Sequence, residues 1–261
     1  MFDLDAYLRR IGLEGRPSLV ELHRAHSTAI PFEGLSAHIG EPVPLDAEAL
    51  SAKLVAGGRG GYCFEQNLLF KAALEALGYE VEAYLARVLV GLKEGQIRGR
   101  THMALRVYEG EHSWHADVGF GGGTPVEPIP WGPGAEHEQS GWRYRLIERD
   151  AEYVLQEVED GEWSDLYAFE PRPALMIDVE ISNWWVSTNP ESTFVTGFLV
   201  SRQWPDGRRL LLTDWGEAEL IDRTPERTVR TIVQAGELPE LLAERFDLHG
   251  FQIGADGHLH R

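Results

Sequence analysis

Arg59-Gly60-Gly61-Tyr62-Cys63-Phe64-Glu65-Gln66-Asn67 holds the only cysteine of the chain and stands where a glycine-rich loop meets an apolar run. Gly57-Gly58 and Gly60-Gly61 allow turns that a side chain would block. From Cys63 onward, Leu68, Leu69, Ala72, Ala73, Leu74 and Leu77 share one broad helical face, and Gly78 is a natural C-terminal stop. The pattern predicts a helix from Cys63 to about Leu77. A thiol in the first turn of such a helix feels unpaired N–H groups and the positive end of the helix dipole, and both favour the thiolate. A lone cysteine also serves as a small buried hydrophobe. This stretch alone leaves both readings open.

Before this stretch the chain reads as helical. Leu4, Tyr7, Leu8 and Ile11 have helical spacing over 3–12. Ser18 and Glu21 form a capping box for a helix that ends before Ile30-Pro31. Ile30-Pro31-Phe32-Glu33 reads as extended, and a further helix is predicted from about Asp46 to Gly57-Gly58. After Gly78 the period changes. Strands are expected over Tyr79–Val90, His102–Tyr108 and His112–Val118, the last two joined by a tight hairpin, then over Trp142–Arg149, Tyr153–Val158 and Trp163–Phe169. Such a run of short antiparallel strands suggests a barrel. Asp178–Trp185 is a candidate helix. Phe194–Gln203, Arg208–Thr213 and Gly216–Asp222 read as strands, and Leu238–Phe246 as a helix. The expected class is α+β in three parts: a helical bundle over 1–78, an antiparallel β-barrel over 79–189 and an α/β lid over 190–261.

The 261 residues are 43% hydrophobic, enough for a sizeable core, and carry a net charge of −18. That surface repels nucleic acid and anionic lipid, so neither is expected as a partner. One cysteine excludes an intramolecular disulfide and fits a reducing compartment. The N-terminus does not read as a secretion signal, and no apolar stretch reaches the length of a membrane span. A soluble, cytoplasmic protein is expected.

A cysteine nucleophile needs a base within reach, and the base needs an orienting group. Ten histidines are present, so composition does not choose among them. His102 opens a strand directly after a loop, where it can reach the rim of a cleft. Asp117 ends the next strand as the chain enters Gly119-Phe120-Gly121-Gly122-Gly123. Adjacent antiparallel strands can bring the two side by side, with the carboxylate fixing the imidazole tautomer. Cys63, His102 and Asp117 are therefore the candidate catalytic set; the plainer reading is a capping aspartate and a surface histidine. His112 and His115, three apart on a strand, point to opposite faces, so no metal site is expected there.

Arg59-Gly60-Gly61-Tyr62-Cys63-Phe64-Glu65, Thr101-His102-Met103 and Asp117-Val118-Gly119-Phe120-Gly121, in this order and spacing, resemble the arylamine N-acetyltransferases. Ile30-Pro31-Phe32-Glu33 and Ser187-Thr188-Asn189-Pro190-Glu191-Ser192-Thr193-Phe194 resemble further segments of that family, so the likeness covers essentially the whole chain. It implies the same three-part fold, whose first two parts are similar to the papain and transglutaminase core. It implies Cys63 as the acetyl-accepting nucleophile, His102 as base and Asp117 as orienter. It also implies acetyl-CoA as co-substrate, an aromatic amine or hydrazine as acceptor, and a two-step exchange. Phe64, Phe120 and Phe194 match positions lining the family's substrate pocket, with core packing as the rival reading of each. Gly121, Gly122 and Gly123 form a loop that would let CoA approach the backbone; a plain turn is the rival. Arg59 is expected to tie the loop to the fold. A relative that joins a polyketide acyl thioester to an aromatic amine would use the same three residues, as would a transglutaminase-like amidase. A binding protein with a retired site is the alternative from outside enzymology.

Overall fold

The computed structural model describes residues 2–93, 95–134 and 136–261. Helices Leu4–Arg10, Leu19–Ala29 and Cys63–Ala76 lie where the apolar spacing put them. The Ser18–Glu21 capping box is present, with Ser18 N–H donating to Glu21 Oε2 at 2.8 Å. Asp46 caps a turn at Ala47–Leu50 that runs on as a wider-wound helix over Ser51–Ala56 and stops at Gly57. Their apolar faces form one core around Tyr7, Leu22, Phe64, Phe70 and Leu74.

Eight antiparallel strands form the central sheet and curl into a nearly closed barrel. In spatial order they are Ile129–Pro130, His112–Ala116, His102–Glu109, Glu80–Val88, Glu162–Phe169, Glu152–Glu159, Trp142–Arg149 and His137–Gln139. Alternation buries one face around Tyr84, Tyr144, Tyr167 and Phe169. Met103, Leu105 and Val107 point the other way, into the helical core. A second sheet pairs Phe32–Glu33, Phe198–Gln203, Arg209–Asp214, Ala218–Thr224 and Arg227–Ile232, and helix Leu238–Phe246 packs on it. The fold is α+β.

Two readings change. Phe194 does not begin a strand: Ser192 Oγ accepts the Phe194 N–H, Thr193–Thr196 makes one helical turn, and the strand starts at Phe198 after Gly197. The helix expected over Asp178–Trp185 runs from Met176 to Thr188. Among the described residues no helix is long and apolar enough to cross a membrane.

Candidate active site

The glycine loop before Cys63 is threaded against Phe32-Glu33. Glu33 N–H donates to Gly61 O at 3.0 Å. A Cβ on Gly60 would fall 2.0 Å from Pro31 O, so no other residue fits there. Arg59 is buried and its guanidinium grips Glu33 Oε1, 2.6 Å from Nη2, while lying over the Phe251 ring at 4.9 Å. It thus fastens the loop to both flanking segments, as expected for it. Tyr62 is extended and precedes the first helical residue. Its N–H donates to Glu65 Oε2 at 3.1 Å, and Glu65 Oε1 accepts from Lys53 Nζ at 2.7 Å. These contacts fix the helix start that carries Cys63.

Cys63 is 4% exposed, and its Sγ lies 3.6 Å from the carbonyl oxygen of Thr101, the residue before His102. His102 Nε2 lies 2.7 Å from Asp117 Oδ2. The strand register sets Leu105 across from Ala116. Continued one step, it sets Asp117 across from Ala104, diagonal to His102 on the same face. The other ring nitrogen of His102 makes no hydrogen bond among the described residues and remains available. Asn67, one turn beyond Cys63 on the same helix, donates to Asp117 Oδ1 at 2.9 Å and to Met103 O at 2.8 Å, and accepts Val118 N–H at 3.2 Å. The three sequence candidates therefore lie in one knot of contacts.

Asp117 is saturated as an acceptor. Oδ1 takes Asn67 and the Gly119 N–H (2.9 Å); Oδ2 takes His102 and the Tyr167 hydroxyl (2.8 Å). Burial alone would raise this carboxyl. The charge and hydrogen bond of His102, with Asn67 and Gly119, hold it well below the usual carboxylate range. The same burial, with the negative charge of Asp117, pushes the Cys63 thiol up, and the N–H groups of Phe64 and Met103 do not reverse it. The helix start favours a thiolate, and desolvation works against it.

The remaining candidates divide. Phe120 is half-buried, its ring set edge-on to His102 with centroids 5.0 Å apart. Phe194 is half-buried against Tyr62 at 5.7 Å, Phe32 at 6.1 Å and Trp215 at 6.3 Å. Phe64 is fully buried and packs on Tyr62 within the helical core. Gly121 faces the Phe32 ring, Gly122 faces Leu211, and Gly123 lies against Leu166 and Phe120. Gly122 O accepts from Arg209 at 3.2 Å, which ties this loop to the lid sheet. Sequence reasoning missed Asn67, Tyr167 and His23, whose Nε2 accepts the Asp117 N–H at 3.2 Å. Of these, only Asn67 carried a signal: its i+4 spacing from Cys63.

A thiol at a helix start, packed against the residue before an aspartate-held imidazole, is compatible with thiol-dependent chemistry. The comparisons narrow the class. The family model described as N-acetyltransferase matches residues 17–251. The arylamine N-acetyltransferase of Mycolicibacterium smegmatis is 42% identical over 79% of this chain and 78% of its own. That of Escherichia coli is 35% identical over 96% and 92%. Among solved structures, Nocardia farcinica arylamine N-acetyltransferase superposes with a TM-score of 0.87 at 40% identity over 95% of this chain and 90% of that one. The Mycobacterium marinum enzyme in complex with CoA gives 0.89 at 34% over 94% and 93%. The chain belongs to the arylamine N-acetyltransferase family and is an acyltransferase.

Proposed function

We propose that the chain moves an acetyl group from acetyl-CoA to an arylamine or arylhydrazine in two half-reactions through an acetyl-Cys63 intermediate. The observation that carries this reading is the four-donor seat of Asp117 that holds His102, together with the buried Cys63 thiol lying 3.6 Å from the carbonyl oxygen of Thr101, the residue before His102. His102 acts as general base: it takes the thiol proton so that Sγ can attack the thioester carbonyl. The tetrahedral oxyanion collapses, the C–S bond to CoA breaks, and His102 returns the proton to the departing thiolate. A neutral arylamine then attacks acetyl-Cys63, His102 takes its N–H proton, and the cysteine leaves and recovers it. The Cys63 backbone N–H is the proposed oxyanion donor.

Phe120 and Phe194 are proposed to flank the aromatic acceptor, with Phe64 backing them from the core. Gly121, Gly122 and Gly123 are proposed as the backbone along which CoA lies. Residues 1–78, 79–189 and 190–261 are taken as the working parts, and a reducing cytoplasm as the setting that keeps the thiol free.

Incubation with acetyl-CoA without amine, followed by intact mass measurement, tests the reading. One added acetyl group, absent in Cys63→Ala, is expected. An adduct formed only with longer acyl thioesters would move the assignment to amide synthesis on polyketide chains. No adduct with any thioester overturns it.

A further inference from the structure

His115 is a buried titratable side chain that the proposed chemistry leaves unused. It lies on strand His112–Ala116, 1% exposed, its ring stacked on Phe169 at 5.4 Å. Its Nε2 is 2.7 Å from the Tyr167 hydroxyl oxygen, which is 2.8 Å from Asp117 Oδ2. An ionised carboxylate only accepts, so the phenol hydrogen goes to Asp117. The phenol oxygen must then accept from His115, which therefore carries its hydrogen on Nε2. His115 Nδ1 is buried and has no partner among the described residues. As a bare lone pair it costs little; as a second N–H it would be an orphaned donor. The ring is thus locked neutral in one tautomer, and burial, which pushes it down to about 4, agrees. The other titratable or charged groups around it are Asp117, His102, His23 and, across Trp131, Arg106.

We propose that His115 is a positioning residue of this site: by donating to the Tyr167 oxygen it polarises the phenol O–H that Asp117 accepts, strengthens that bond, and so sets how much carboxylate charge reaches His102. The proposal rests on the Cys63–His102–Asp117 reading above. Without a donor at position 115 the phenol–Asp117 bond weakens, and without the phenol Asp117 loses one of its four donors. The carboxylate charge would then concentrate on the imidazole, which would stay protonated to a higher pH, so that the free base needed to take the thiol proton appears later on the pH scale.

The test is the pH dependence of Cys63 alkylation by iodoacetamide, followed by intact mass. It needs neither acyl donor nor amine, so its failure is distinct from failure of the acetyl-transfer reading. His115→Gln keeps an amide donor near the Nε2 position. His115→Phe keeps the ring stack without the donor, and Tyr167→Phe removes the relay. In His115→Phe and Tyr167→Phe the acid limb should move up by about 0.5 pH units, so that the rate on that limb falls roughly 3-fold, whereas the His115→Gln profile should not shift. A wild-type profile in His115→Phe, or equal damage in a folded His115→Gln, overturns the proposal. Should His115→Phe fail to fold, a shifted Tyr167→Phe beside an unshifted His115→Gln supports it, and any other pairing of those two overturns it.

Discussion

A methyl group added at Gly119 would lie 2.9 Å from Cys63 Cα and 3.1 Å from Cys63 O, two backbone atoms that cannot rotate away. Gly119 also donates its N–H to Asp117. Gly119→Ala must therefore push the helix start off the barrel rim, at a cost of about 1–3 kcal/mol. Displacements of this size at a reacting atom lower rates on the order of 10-fold or more. A melting curve and Cys63 alkylation read both effects; a wild-type result in each would show that the rim yields. Acid should act through buried imidazoles. His23, His26 and His115 are pushed by burial to about 4, 3 and 4. Between those values and their ordinary range near 6.5, the unfolded chain binds protons that the native chain refuses, so native stability falls as pH falls. With all three engaged the slope approaches about 4 kcal/mol per pH unit. Asp117, held low, adds a further loss only below about pH 4, its unfolded range. Urea unfolding at pH 7 and pH 5 measures this, and equal midpoints would refute it. The element boundaries that carry Cys63, His102 and Asp117 were legible: a helix start after a glycine loop, a strand start after a loop, and a strand end before a glycine run. Tyr167 and His23 were not: their roles depend on strand register and helix placement, which no local pattern encodes.

At the scale of elements, Asn67 stitches helix Cys63–Ala76 to the barrel by bonds to Asp117, Met103 and Val118. Asn67→Ala removes three hydrogen bonds and leaves buried partners unpaired, which should cost about 2–4 kcal/mol. Turnover should fall further than in an equally destabilised core variant such as Leu74→Ala, because Asp117 is left with three donors. Melting temperature and steady-state rate compared between the two variants check this; equal losses would reduce Asn67 to a structural tie. Helices Cys63–Ala76 and Leu238–Phe246 were readable from spacing and terminal residues. The strand Arg227–Ile232 was not picked out. It is the outer strand of its sheet, mostly exposed on both faces, so it shows no inward and outward alternation. At Phe194 the β-rich composition misled, because a capping serine and a following glycine outweighed it locally.

Over the whole molecule, the lid sheet and barrel are joined through a buried charge. Arg209, from the lid strand Arg209–Asp214, reaches Glu157 Oε2 of the barrel at 2.7 Å, bonds the Tyr144 hydroxyl, and lies 3.7 Å from the Trp142 ring centre. Both ionic partners are 3% exposed. The same guanidinium holds Gly122 O, so the joint runs directly into the glycine loop beside the candidate site. Neither partner was identifiable from sequence, since a strand arginine and a strand glutamate ordinarily face water. Removing one partner strands the other charge in the interior, so Arg209→Met and Glu157→Met should each cost about 3–5 kcal/mol. Replacing both removes the stranded charge, and the double variant should be more stable than either single one by a few kcal/mol. Yet Gly122 loses its tether in every variant lacking Arg209. The double variant should therefore regain its melting temperature while its KM for the acyl donor stays raised. Recovery of both together would mean that the joint serves stability alone, and recovery of neither would mean that the two sheets depend on this pair for docking.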